Sequence, residues 1–319
     1  MNTRLFLAGN VIIDLVMRVP QLPPRGGDVL ASDTTQRVGG GLNVLTAARR
    51  MGLPAVYAGI HGTGPFGDRV RAALQAERID VALPPRTDAD TGFCVALVDD
   101  GGERTFATAP GAEGALTPDD TARMAAALRP GDIVQLSGYG LAYPGTAAAL
   151  TDFATALPDD VVLCLDPGPL VADIDAERLR RILARCDWLS CNRREARLLS
   201  DLDDAAAADA LTGRIKPGGG VLVRGDADGC WLATGTSPAV HVPGRPVRVV
   251  DSNGAGDAHT GAFLALLGQG ITPLEAARAA NAAAALAVTR PGPATSPTSA
   301  ELATALGPTD PLHRTLTAG

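Results

Sequence analysis

Val249-Val250-Asp251-Ser252-Asn253-Gly254-Ala255-Gly256-Asp257, running into the apolar stretch 258–267, reads as a strand end, a glycine turn and the opening of a helix. The first N–H groups of a helix have no partner within it, and small residues let an anion approach them closely, so this junction is a candidate phosphate site. Asp257 falls in the first helical turn beside that site, where a carboxylate could accept a proton from an attacking hydroxyl. The same letters fit a plain glycine turn in which Asp257 only complements the helix dipole.

Outward from this stretch, short β-branched runs alternate with Ala/Arg/Leu segments at helical period, the pattern of βα units on a mostly parallel sheet. Strands are expected at 4–13, 55–60, 132–137, 161–165, 188–191 and 220–224. Helices are expected at 43–51, 68–79, 118–128, 145–157, 176–186, 193–200, 272–289 and 299–306. Two stretches break the alternation, 28–38 and the hairpin 93–98 with 103–108. Strands without intervening helices would form a small separate sheet that could cover the mouth of the main one, a candidate lid.

Composition removes several functions. With 28 basic against 35 acidic residues the formal charge is −7, and aromatic residues make up 3%, too little of either for a phosphate-tracking surface or a base-stacking platform. Nucleic acid is therefore not an expected partner. Nor is a membrane, since no apolar run approaches the ~18 residues of a spanning helix. Asn10 and Asp14 interrupt the early apolar stretch, which argues against a signal peptide, and five cysteines without a C-x-x-C pair fit a reducing, cytoplasmic setting. Lys216 is the single lysine and Pro217 follows it, so no Walker-type phosphate loop exists. Gly62-Thr63-Gly64-Pro65-Phe66-Gly67 fits G-x-G-x-x-G, but the next strand, which a dinucleotide fold would close with an acid, is barely present and runs into Leu83-Pro84-Pro85. His61, His241, His259 and His313 are too scattered for a zinc site.

Taken together, these segments resemble the ribokinase-like (PfkB) carbohydrate kinases. Asp251–Asp257 is similar to their D-T-x-G-A-G-D motif and Asn192-Arg193-Arg194-Glu195 to their N-x-x-E, while 221–231 resembles their strand, glycine turn and strand over the nucleotide. Residues 281–290 and 292–296 resemble the adenine-flanking helix and its loop, and 9–14 with 39–52 the sugar-binding segments. The resemblance runs from about 4 to 306. It implies a three-layer ribokinase-like α/β fold in a single domain, 1–319, with a mostly parallel central sheet flanked by helices and a small β-sheet lid drawn from about 12–38 and 91–109.

The resemblance also implies transfer of the γ-phosphoryl group of ATP to a hydroxyl of a neutral sugar, with a nucleoside as the alternative acceptor. Asp257 would be the base, and the Gly254, Ala255 and Gly256 amides would stabilise the moving phosphoryl group. Asp14, Gly39, Gly40 and Asn43 would bind the acceptor, and Asn192, Arg224, Gly225, Gly229 and Asn281 the nucleotide. Glu195, with Asn192, would act on Mg2+ through water, and Asp251, Asn253 and Ser296 would offer oxygens to K+. A homodimer joined through the lid is compatible with it. A non-catalytic sugar sensor and a dinucleotide-dependent oxidoreductase are the distant alternatives. The chain departs from the pattern in several places: Val38 replaces a paired glycine, Gly40 stands where ribokinase itself carries a lysine, Val223, Ser252 and Asn253 replace threonines, and the nucleotide loop is one residue longer. With no basic residue in 39–48, the expected acceptor is uncharged.

Overall fold

A computed structural model describes residues 3–235 and 237–317. The chain begins with β1 (Leu5–Ala8), β2 (Val11–Arg18), β3 (Asp33–Gly40), α1 (Leu42–Arg50), β4 (Ala55–Tyr57), α2 (Pro65–Ala76), β5 (Asp80–Val81), β6 (Phe93–Val98), β7 (Arg104–Ala109) and α3 (Pro118–Ala127). There follow β8 (Ile133–Ser137), α4 (Tyr139–Ala142), α5 (Ala147–Thr155), β9 (Val162–Asp166), α6 (Ala176–Arg185), β10 (Trp188–Asn192), α7 (Arg193–Ser200) and α8 (Asp204–Thr212). The last third holds β11 (Gly220–Arg224), β12 (Gly229–Thr234), β13 (Ser237–Pro243), α9 (Ala255–Gly268), α10 (Pro273–Ala287), α11 (Ser299–Leu306) and α12 (His313–Thr317).

Nine strands form one sheet in the order β13-β12-β11-β10-β9-β8-β1-β4-β5, parallel throughout except for β12 and β13 at one edge. Side chains alternate across it, as the pleat requires. Leu5 and Leu7 of β1 pack with Leu45 of α1, Phe263 of α9 and Ala280 of α10. Phe6 and Ala8 face the opposite layer, with Met124 of α3, Leu150 of α5 and Ile182 of α6. Both faces of the sheet are thus covered, which is why its strands read as continuous apolar runs.

A second sheet, β3-β2-β6-β7, stands apart from the first. It contains the expected hairpin, β6 with β7, and one strand that the sequence reading merged into its neighbour. Residues 4–13 are not one strand: the chain leaves the main sheet at Gly9-Asn10, and β2 pairs with β3 and β6 instead. Val249 and Val250 are likewise not in a strand. They are exposed, and the Val250 and Asp251 amides donate to the Val288 carbonyl at the end of α10. Their β-branched side chains carry a strand signal, but no strand partner lies beside them among the described residues.

Helices α1 and α9 touch at Gly261. A Cβ at this position would lie 2.5 Å from the Val44 carbonyl oxygen and 2.6 Å from the Ala47 Cβ, so only glycine lets the two helices approach this closely. Asn43 and Asp257 sit one turn earlier on the same two helices. Gly261→Ala is therefore expected to destabilise the protein by about 1–3 kcal/mol through overpacking. Measured by urea denaturation, an unchanged midpoint would show that the helices can part without cost.

Candidate active site

The carboxyl ends of the parallel strands and the inner face of the small sheet enclose a cleft of about 300 Å³. Its walls include Asp14 from β2, Asn43 from α1, Asp166 from β9, Glu195 from α7, Arg224 from β11 and Asp257 from α9. Six separate elements therefore bring one charged or amide side chain each to one place.

The turn before α9 is open toward this cleft. Gly254 has φ +76°, which a side chain would strain, and a Cβ there would lie 3.1 Å from the Asn43 amide nitrogen. The Ala255 amide closes the turn on the Ser252 carbonyl at 3.3 Å, so its role as an anion donor is weaker than the sequence suggested. The Gly256 and Asp257 amides belong to the first turn of the helix, where no intrahelical acceptor exists.

Asp257 lies half-buried beside these donors. Asn43 Nδ2 donates to its Oδ2 at 2.9 Å, while Asn43 Oδ1 accepts from the Ala294 amide at 2.8 Å, so Asn43 is fixed at both ends of its amide. Burial raises the Asp257 pKa to about 7; the nearby Asp166 charge adds to the rise, and Asn43 and Arg224 oppose it. Asp14 is raised to about 6, again mainly by burial, with the Asn253 side chain and Arg104 pulling it back. Gly39 leaves room for this group, since a Cβ there would lie 2.1 Å from Asp14 Oδ2.

At the other end of the cleft, Asn192 and Glu195 form a reciprocal cap on α7. The Asn192 side chain accepts from the Glu195 amide at 2.9 Å, and Glu195 Oε2 accepts from the Asn192 amide at 2.8 Å. Glu195 still borders the cleft, and burial with the neighbouring Asp166 charge holds its carboxyl above the ordinary range. Three carboxyl groups, Asp166, Glu195 and Asp257, thus converge on one arginine. Among the described residues no three acidic, histidine or cysteine side chains sit close enough to ligate one metal ion directly, so a hard divalent cation would be held here only through its water shell.

Several sequence candidates lie outside the lining. Asn281 Nδ2 donates to the Val242 and Pro243 carbonyls at 2.9 and 3.2 Å and anchors the end of β13. Gly225 and Gly229 shape the β11–β12 turn, where the Arg193 guanidinium covers the Trp231 ring at 4.7 Å. Ser296 is buried and its carbonyl accepts from Arg50 Nη1 at 2.7 Å, so a guanidinium already occupies that oxygen. The Asp251 carboxylate accepts from Asn253 and Gly292 amides and from Arg104 of β7, an ion pair that ties the small sheet to the glycine turn.

The competing Gly62–Gly67 motif does open a helix, but the Asp90 carboxylate fills it: its oxygens accept from the Phe66 and Gly67 amides at 3.0 and 2.8 Å. No room is left for a pyrophosphate, and the loop is absent from the cleft lining, as is His61, which packs near Tyr57. Sequence reasoning missed Asp166, Tyr139 and Cys94, all of which border the cleft. For Asp166 a signal was present, an acid closing a predicted strand before Pro167-Gly168.

The sequence profile of the pfkB family carbohydrate kinases matches residues 2–300. The sugar kinase YegV of Escherichia coli (strain K12) is 33% identical over 300 residues, covering 93% of this chain and 92% of that protein. An ATP-dependent ribose-1-phosphate kinase of Halopiger xanaduensis is 33% identical over 303 residues, covering 92% and 95%. The solved ribokinase of Giardia lamblia, 23% identical, shares the fold with a TM-score of 0.82 over 96% of this chain and 99% of that one.

The raised Asp257 pKa has a stability consequence. A carboxyl at about 7 when folded and near 3.8 when unfolded favours the folded state below pH 3.8 and loses that advantage as pH rises through 7. Asp257→Asn, which cannot ionise, is expected to be more stable than the wild type by about 1–4 kcal/mol at pH 8 and to match it near pH 4. Denaturation at both pH values checks this; equal stability at pH 8 would place Asp257 in a solvated setting.

Proposed function

The chain belongs to the pfkB family of carbohydrate kinases, and from that membership we propose that it transfers the γ-phosphoryl group of ATP to a hydroxyl of a neutral sugar held beneath the small sheet. The observation that carries this reading is the Asp257 carboxyl, half-buried next to the open donors at the start of α9 and facing the cleft.

In this reading Asp257 takes the proton of the acceptor hydroxyl as its oxygen forms a bond to the γ-phosphorus, while the bond to the bridging oxygen breaks and ADP leaves with the electron pair. Asn43 keeps the Asp257 carboxyl turned toward the acceptor through the 2.9 Å hydrogen bond. The Gly254 and Gly256 amides donate to the oxygens of the moving group, donors that are already oriented before charge develops on them. Asp14 accepts from acceptor hydroxyls at the small sheet, which acts as a lid latched by Arg104 and Asp251. Mg2+, held through water by Glu195 and Asp166, would neutralise phosphate charge when bound.

A neutral acceptor follows from where the cations sit. Arg104 is paired with Asp251 and Arg224 with Asp166, and the lining at the acceptor end presents a carboxylate and no other cation; Arg37, opposite Asp14 in the β2–β3 register and without an ion-pair partner among the described residues, lies outside that lining. A substrate that already bears phosphate would meet Asp14 there at a cost. The ribose-1-phosphate kinase among the relatives makes a sugar phosphate the reading to test against this one.

Asp257→Asn is expected to lower kcat by ~10²–10⁴. In the wild type, kcat/KM should rise with pH through an apparent pKa near the value of about 7 for Asp257. ADP release measured from pH 5.5 to 9 checks both, and near-wild-type turnover by the variant would remove Asp257 as the base. Asp14→Ala is expected to raise the acceptor KM at least tenfold, each hydrogen bond to a charged group contributing roughly 1.5–3 kcal/mol. A screen of pentoses, hexoses, nucleosides and sugar phosphates decides the class: a sugar phosphate as best acceptor, or an unmoved KM in Asp14→Ala, overturns the neutral-sugar pocket.

A further inference from the structure

Arg224 is held by one edge of its guanidinium. Nη1 donates to Asp166 Oδ2 at 3.0 Å, Ser190 Oγ at 2.6 Å and Thr260 Oγ1 at 3.0 Å. Nη2 stands 3.8 Å from Glu195 Oε2, beyond hydrogen-bond reach, and neither Nη2 nor Nε donates to any acceptor among the described residues. This second edge lies under the anion turn: a Cβ placed on Gly256 would be 3.4 Å from both Nε and Nη2. The side chain is only 12% exposed, so its open donors face the cleft rather than bulk water. Neither donor is sealed off from the cleft, and a guanidinium fork matches the oxygens of a phosphoryl group.

The rest of the chain sharpens the point. Arg224 is the one cationic side chain lining the cleft among the described residues, and Lys216, the single lysine, is bound to Asp187 at 3.2 Å elsewhere. Asp166 and the two hydroxyls fix the anchored edge, which leaves the other edge aimed by the protein alone, before any ligand arrives.

We propose that the free Nε–Nη2 edge of Arg224 grips the terminal phosphoryl group of ATP at the glycine turn, which makes Arg224 a catalytic residue. The assignment rests on the kinase reading above. Arg224 forms no covalent bond: the acceptor oxygen gains the phosphoryl group, ADP keeps the electron pair of the broken bond, the proton goes to Asp257, and the guanidinium, anchored through Nη1, donates to the oxygens through Nε and Nη2.

The test compares two nucleotides that differ in the group Arg224 would grip. Wild type, Arg224→Lys and Arg224→Met are titrated by calorimetry with ADP and with the β,γ-imido analogue of ATP, in one magnesium buffer, and kcat and acceptor KM are measured alongside. Both variants should bind the analogue at least about tenfold more weakly while ADP affinity stays within about threefold, and kcat should fall far more than KM shifts. Arg224→Lys keeps a cation beside Asp166 and so reports on the free edge even if Arg224→Met fails to fold. Equal weakening of both nucleotides, or of neither, would make Arg224 a structural brace and overturn the proposal. A wild type that binds both nucleotides with variants that match it sinks the Arg224 assignment alone; a wild type that binds neither sinks the kinase reading with it.

Discussion

The hydrogen bond from Asn43 to Asp257, 2.9 Å long and spanning 214 positions of sequence, joins the two halves of the site. It can form only because Gly261 lets α1 and α9 pack backbone to backbone one turn further on. α1 follows directly from β3 of the small sheet, and α9 follows the glycine turn. The bond therefore ties the cleft wall that follows the small sheet to the wall formed by the glycine turn. A carboxylate placed at the start of a helix beside open N–H groups would otherwise rotate toward those donors and fill the anion site itself. Asn43 supplies an alternative donor and holds it back.

Electrostatics in the cleft follow from that arrangement. Asp257, Asp166 and Glu195 are crowded into a poorly solvated space with a single guanidinium between them, and the first and last of these are pushed toward protonation. Burial opposes the Arg224 charge too, but Asp166 and Glu195 more than offset that and keep it protonated. An acid near neutrality is suited to taking up a proton and giving it back.

Legibility in the sequence depended on whether the signal was local. The glycine turn, the Asn192–Glu195 cap and the hairpin of β6 and β7 are written within a few consecutive residues, and each appears where the letters place it. The split of residues 4–13 between two sheets was hidden because both halves are equally apolar; what divides them is the partner strands, β8 and β4 for one and β3 and β6 for the other. The free edge of Arg224 was hidden because the groups that anchor its other edge arrive from β9, β10 and α9, far apart in sequence. Asn281 and Ser296 carried motif positions, yet their polar groups are engaged by β13 and by Arg50, contacts that no local pattern encodes.

Helices α2 and α9 both open after glycine-rich turns, and they differ in whether the protein itself satisfies the donors of the turn. At α2, Asp90 arrives from a distant loop and its carboxylate accepts from the Phe66 and Gly67 amides, so the orphan donors and the positive end of the dipole are satisfied within the protein. At α9 the nearest carboxylate, Asp257, belongs to the helix itself and is turned aside by Asn43, leaving the Gly256 side of the turn open above Arg224. Both turns match glycine motifs associated with phosphate. The motif prescribes only the room and the backbone donors; whether an anion can enter is set by where the nearest carboxylate is tied, and that tie is a tertiary contact in both cases.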